Sequence, residues 1–315
     1  MNKNGVFKMK SLNTKCSTKR SAKFLTVTLA LFASTLTVTE VSAADTLAKI
    51  KQSGKVIIGY RESSDPISYV VAGKPMGYAV DICNTFANEL KKDLKLPNLK
   101  VEYKAVTSST RIPEMLAGNI DMECGTTTNS VQRQQQVSFS TNYYVTEVRM
   151  AVKANSTIKT IADLNGKAVV TTQGTTSDKY IKMGEKGQNI NANNVYGKDH
   201  SDSFAMMASG RAAAFVMDDN ILAGLMAKSS TPKDFKIVGP VLSAEPYGIM
   251  LPKGDAAYKA IADRVVTNMW KNGQMAGLYK KWFQSPIAPK NINLNMPMSA
   301  SYLKLKAAPN DKGIN

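Results

Sequence analysis

Two passages of the chain, EMLAGNIDMECGTTTN at residues 114–129 and AMMASGRAAAFVMDDN at 205–220, repeat one plan: a short helical stretch, a glycine, an apolar strand and a polar turn. A unit that recurs in this way predicts two halves built alike. The rest of the sequence agrees, because short apolar runs alternate with helical spacing, the pattern of an α/β fold. Residues 56–60 read as a strand, 77–94 (GYAVDICNTFANELKKDL) as a helix, and 99–106 (LKVEYKAV) alternate as a strand does. A further strand, Lys167 to Thr171, runs into QGTTSDKY, so GTT occurs at 125–127 and again at 174–176. Each GTT is expected to leave a strand and enter a helix. There, free N–H groups, a glycine that admits a ligand and threonine hydroxyls make an anion site. The plainer alternative is that these threonines only cap helices.

The N-terminus bounds the compartment. Residues 1–23 carry seven Lys or Arg and no acid, 24–38 (FLTVTLALFASTLTV) are apolar or hydroxylated, and Val41-Ser42-Ala43 has the small-residue form of a cleavage signal. This predicts a secretory signal peptide over residues 1–43, since a membrane anchor needs about 20 predominantly apolar residues. Cys16 precedes the apolar run, so it is not placed to carry a lipid anchor at the cleavage point. Removing the leader takes away seven of 41 basic and one of 24 acidic residues, leaving 34 against 23, a net charge of +11. The lysines are scattered through amphipathic stretches such as NELKKDLKLPNLK, which reads as a solvated surface and not as a nucleic-acid site. About 270 residues then remain, enough for two domains or one large one. Cys83 and Cys124 fit no metal spacing. In an oxidising compartment they form either a bridge or two buried thiols, and spacing alone leaves both open. No nucleophile elbow, phosphate loop or metal-spaced His/Cys/Glu cluster is present, so neither cofactor nor catalytic apparatus is expected.

The segments DLNGKAVVTTQGTTSDKY, LAGNIDMECGTTTN, ASGRAAAFVMDD and LYKKWFQSPI resemble the periplasmic amino-acid-binding proteins of ABC transporters, over nearly all of residues 47–286. GYRESSDPISY, VTSSTRIP, KDHSDSF, MDDNILAG and the tail PKNINLNMPMS with PNDKGIN are similar to the glutamate/aspartate-binding members. The resemblance implies a two-lobed, type II periplasmic binding protein fold, two α/β lobes joined by two hinge strands with the ligand cleft between them. Lobe 1 would take residues 44–148 and 245–315, and lobe 2 residues 149–244. It implies a monomer that captures L-glutamate or L-aspartate and delivers it to permease subunits in the inner membrane.

By the same resemblance Arg133, with Thr126 and Thr128 beside it, meets the ligand's α-carboxylate, and Asp218 its ammonium. Arg61, Ser108 and Arg111 also face the cleft, with Thr176 and His200 from lobe 2. Two guanidiniums beyond the first call for a second carboxylate, which planar arginine forks bind well. The dull rivals are neutralisation of Arg61 by Glu62 or Asp65 and of Arg111 by Glu114. Asp199 and Asp202 would hold His200 protonated as a donor, or leave it merely exposed. Asp219 is expected to cap a helix. Tyr69 and Tyr247 are the candidates for an aromatic shelf. The rival function is a periplasmic dehydratase for prephenate-like compounds on the same fold, with Arg, His and Asp as acid/base machinery.

Overall fold

The computed structural model describes residues 45–315; the leader and the cleavage site at Ala43 lie outside the described residues. Two five-stranded sheets organise the chain. The first runs in the order Lys100–Ala105, Lys55–Tyr60, Met122–Cys124, Met250–Leu251, Ser138–Phe139. Its first three strands are parallel and Met250–Leu251 is antiparallel to both neighbours. The second runs Asn193–Gly197, Ala168–Thr172, Ala214–Asp218, Tyr144–Lys153, Phe235–Tyr247. Again three strands are parallel and the next is antiparallel. The two repeated passages therefore occupy equivalent places, each supplying the third parallel strand. Met122–Cys124 and Ala214–Asp218 are buried along their whole length, as strands covered on both faces must be.

The helix Tyr78–Asp93 shows how pattern becomes packing. Ile82, Phe86 and Leu90 are buried on one face, and Lys91 and Lys92 sit in the last turn, where cations suit the helix dipole. It starts from Gly77 at φ 135°, where a Cβ would lie 2.4 Å from the Ile67 carbonyl oxygen, so only glycine fits. Cys83 on this helix and Cys124 at the end of the strand Met122–Cys124 form a disulfide, resolving the alternative the spacing left open.

Two long strands, Tyr144–Lys153 and Phe235–Tyr247, pair antiparallel from Tyr144↔Tyr247 to Lys153↔Phe235. At one end Tyr144 and Tyr247 belong to the first sheet's core, where Tyr144 stacks on Phe283 at 5.2 Å. At the other end Val148, Met150 and Val152 belong to the second sheet's core. The pair is thus rooted in both halves. After the helix Ala300–Ala307, whose Tyr302 and Leu305 pack into the first core, the chain returns alongside Asn129–Val131.

Candidate functional site

The parallel strands of both sheets end towards the same region, where ligand sites form in open α/β sheets. Arg61 follows Lys55–Tyr60, Thr126 follows Met122–Cys124, and Asp218 ends its own strand. Thr176 follows Ala168–Thr172, and His200 follows Asn193–Gly197.

Arg61 is fully buried, and its backbone N–H donates to Ser68 Oγ at 2.9 Å. Its Nη2 pairs with Asp199 Oδ1 at 2.8 Å and its Nη1 reaches Thr126 Oγ1 at 3.3 Å. Ser63 Oγ donates to the other Asp199 oxygen at 2.7 Å. The charge count made from sequence therefore changes. Arg61 is neutralised, and by neither suggested rival: Glu62 is exposed and Asp65 lies 3.5 Å from Lys228. Its partner, Asp199, comes from the second sheet's half.

Arg111 is different. It opens the helix Arg111–Leu116 at 1% exposure, and its Nε and Nη1 have no hydrogen-bond partner. Burial, with Arg133 and Arg61 nearby, pushes its pKa down to about 9. Glu114 does not serve it, being bonded to Lys104 Nζ at 2.7 Å and Asn119 Nδ2 at 2.8 Å. Ser108, just upstream, buries a hydroxyl that is also unpartnered. Arg133 is half-buried; its Nη1 donates to the Thr128 carbonyl at 3.0 Å and its Nη2 to the Gly174 carbonyl at 3.3 Å. Burial lowers its pKa, opposed by Glu245, Asp218 and Glu123.

Facing these cations is a pair of buried acids. Asp218 accepts a hydrogen bond from the Tyr247 hydroxyl, and its pKa is pushed up to about 8 by burial first and Glu245 second. Glu245, on the strand Phe235–Tyr247, accepts from Thr128 Oγ1 at 2.5 Å and Thr176 Oγ1 at 2.8 Å. Its second oxygen, Oε1, and the Nδ2 of buried Asn220 have no partner. Asp219 is turned elsewhere: it accepts from Thr146 Oγ1, the Glu147 amide and the Asn220 amide, tying its helix to the strand Tyr144–Lys153. The expected capping role is replaced by that tie.

His200 is 1% exposed, so it is not a solvent histidine. Its pKa is pushed down to about 3 by burial, then by Arg61 and, more weakly, Arg111, with Asp199 opposing. The expectation of a protonated donor is corrected here: Asp199 is committed to Arg61 and Ser63, and Asp202 accepts from the Lys198 amide. The imidazole is neutral, with Nδ1 on Thr172 Oγ1 at 2.9 Å and Nε2 unpartnered.

The threonines are not simple caps. Thr176 stands at the N-terminus of Ser177–Gln188 without a side-chain cap bond. The first GTT does not enter a helix directly, since Val131–Gln134 begins later, capped by Ser130 Oγ. Thr126 bonds Arg61 and lies 3.4 Å from Ser64 Oγ; Thr127 donates to Glu123 at 2.6 Å. Tyr69 gives no shelf, as its hydroxyl donates to the Ala288 carbonyl and its ring packs edge-on against Trp282.

Sequence reasoning missed Glu245, Asn220 and the Arg61 partnership of Asp199. For Glu245 there was a signal: an acid inside the otherwise uncharged run VLSAEPYGIML has to be met by donors when buried. Among the described residues no cluster of three His, Cys, Asp or Glu is arranged to hold a metal.

The Arg61–Asp199, Ser63–Asp199 and Arg133–Gly174 contacts all join the two halves. Gly174 presses so closely on Ser108 and Ser109 that a Cβ there would lie 2.8 Å from backbone atoms. Buried charged groups brought together from two α/β lobes, with paired crossover strands and contacts that join the lobes, are the arrangement of a two-lobed periplasmic binding protein of type II in its closed form. Comparison with known proteins gives the same class. Residues 56–285 match the family model of bacterial extracellular solute-binding proteins, family 3, and the chain belongs to that family. It is 46% identical to the L-glutamate/L-aspartate-binding protein of Pseudomonas aeruginosa, over 85% of this chain and 89% of that one. It is 42% identical to the glutamate/aspartate import solute-binding protein of Escherichia coli, over 87% and 91%. Among solved structures, a mutant of ArgBP from T. maritima superposes with a TM-score of 0.68 at 27% identity, covering 76% of this chain and 99% of that one.

Proposed function

We propose that this chain is the extracytoplasmic solute-binding component of an ABC transporter, which captures L-glutamate or L-aspartate by closing its lobes and presents it to membrane permease subunits. The observation that carries the reading is Arg111, a buried guanidinium with two unpartnered nitrogens and no acid of its own. A buried unpaired cation is costly, so the site favours a ligand that brings a carboxylate. Asp218 and Glu245 opposite favour one that also brings an ammonium. An acidic amino acid has both, and a second carboxylate for Arg133.

In this reading Arg133 takes the α-carboxylate, with Thr128 and Thr176 turning their hydroxyls to it from Glu245, and Asp218 with Glu245 takes the ammonium. Arg111, Ser108 and the His200 Nε2 take the side-chain carboxylate, with Arg61 and Thr126 completing that wall. The names of the two curated relatives support the same ligands. We further propose lobe 1 as residues 44–148 and 245–315 and lobe 2 as 149–244, release to the periplasm by cleavage near Ala43, and a monomeric protein without turnover. Incubation with prephenate or arogenate should leave both unchanged.

Calorimetric titration of the ligand-free protein with glutamate, aspartate, glutamine and asparagine tests the reading. An amide leaves Arg111 with no carboxylate to pair with, which should weaken binding by about 2 to 5 kcal/mol. Equal affinities for glutamate and glutamine would sink it.

A further inference from the structure

The helix that carries Arg133 is only four residues long, Val131–Gln134, too short to stand on its own hydrogen bonds. What holds it is the end of the chain. Ile314 pairs with Ser130 in a parallel bridge: the Ile314 amide donates to the Asn129 carbonyl at 3.1 Å, and the Val131 amide, first in the helix, donates to the Ile314 carbonyl at 2.8 Å. Asn129, fully buried, donates through Nδ2 to the Asp311 carbonyl at 3.0 Å and accepts from Gln134 Nε2 at 2.7 Å. Asn142 meets the same strap through its amide on the Asn310 carbonyl and its Nδ2 on the Lys312 carbonyl. Gly313 lies so close that a Cβ there would be 2.9 Å from Gln134 Nε2. On its other flank the segment is held by the hinge strand, since the Asn129 amide donates to the Pro246 carbonyl at 2.8 Å. Beyond Ile314, the Asn315 carbonyl accepts from Lys179 Nζ at 3.1 Å, on the second lobe's helix Ser177–Gln188.

We propose that residues 310–315 form a positioning strap for the α-carboxylate site, fixing Arg133 and Thr128 between the hinge strand and the tail. The strap touches no ligand itself; it acts through the segment 128–134. This inference rests on the reading of Arg133 as the α-carboxylate residue. Because every α-amino acid presents that carboxylate, loosening the strap should weaken all of them by one common factor. By reciprocity of linkage, a ligand that engages Arg133 must in turn tighten the strap.

The test is calorimetry on Ile314→Pro, which removes the N–H donated to Asn129, beside Ile314→Ala, which keeps the backbone pairing. Ile314→Pro should bind glutamate, aspartate and glutamine each roughly tenfold more weakly, with their ratios unchanged, while Ile314→Ala stays within about twofold of wild type. Equal binding by Ile314→Pro and wild type, or a loss confined to glutamate and aspartate, would overturn the strap. A fall in the melting temperature with unchanged affinity of the folded fraction would also overturn it, leaving only a structural tail. Should Ile314→Pro not fold, amide exchange on the wild-type protein decides: glutamate should slow exchange at Val131 and Ile314 together, and no slowing at either refutes the strap. If the wild type binds no amino acid, it is the functional reading that fails.

Discussion

Arg61 and Arg111 are both buried arginines on the same wall, yet one has Asp199 at 2.8 Å and the other has no acid. That difference separates their mutants. Arg111→Met should cost about 2 to 5 kcal/mol in glutamate affinity and narrow the gap to glutamine, because it removes the group that makes an amide unwelcome. Arg61→Met should weaken glutamate and glutamine more nearly alike, since it breaks a cross-lobe ion pair. Titration of both variants with both ligands separates these outcomes. A second prediction concerns Asp218, whose folded pKa of about 8 lies far above the usual carboxylate range, with Glu245, Tyr247, Asp219 and Arg111 around it. In the ligand-free site it is protonated at neutral pH, and pairing with an ammonium requires it ionised. Binding should therefore release a proton, and glutamate affinity should rise as pH rises towards about 8 and then level. Calorimetry at pH 7 in phosphate and in Tris, whose ionisation heats differ, should give different apparent enthalpies; identical enthalpies would refute the coupling. Arg111, Arg133 and Asp218 were reached in the sequence only through the family resemblance of the motifs that carry them, and the structure brings these three near one another. Glu245 and the Arg61–Asp199 pair were not reached, because pairing across 138 positions is set by how the lobes meet and leaves no local trace.

At the scale of elements, the two GTT turns were visible as a repeated word, but their use was not. One lies at a helix start and the other does not, and their hydroxyls serve Arg61, Glu123 and Glu245 instead of helix ends. Periodicity found the helix Tyr78–Asp93 and the strands Lys55–Tyr60 and Lys100–Ala105 within a residue or two, and in the helix burial on one face imposes the spacing. It could not say whether Cys83 and Cys124 meet, because that depends on how the helix crosses the sheet. The disulfide closes a span of 41 residues, worth about 4 kcal/mol in the chain-entropy view. It also holds the end of the strand from which Gly125 and Thr126 leave. The double variant Cys83→Ala/Cys124→Ala should melt well below wild type, with glutamate still raising its melting temperature. Scanning calorimetry showing an unchanged midpoint would mean that the bridge contributes little to the native fold.

At the scale of the whole molecule, closure costs free energy when no ligand is present. It withdraws from water the Arg111 guanidinium, which already has Arg61 and Arg133 beside it on the same lobe, and holds Asp218 in its protonated form next to Glu245. Opening the lobes returns these groups to water, whereas an acidic amino acid answers both sets at once only when the lobes are shut. The ligand therefore shifts the population towards the closed form by as much as it prefers that form. Asp199 belongs to closure and not to the ligand, since its oxygens are taken by Arg61 and Ser63 from the opposite lobe. Asp199→Asn should thus weaken glutamate and glutamine by a similar factor, chiefly through faster release. Small-angle scattering should show wild type contracting when glutamate is added and the variant contracting only at higher ligand concentrations. The same radius with and without glutamate in wild type would exclude hinge closure. A variant that discriminates glutamate from glutamine differently from wild type would instead place Asp199 in ligand recognition.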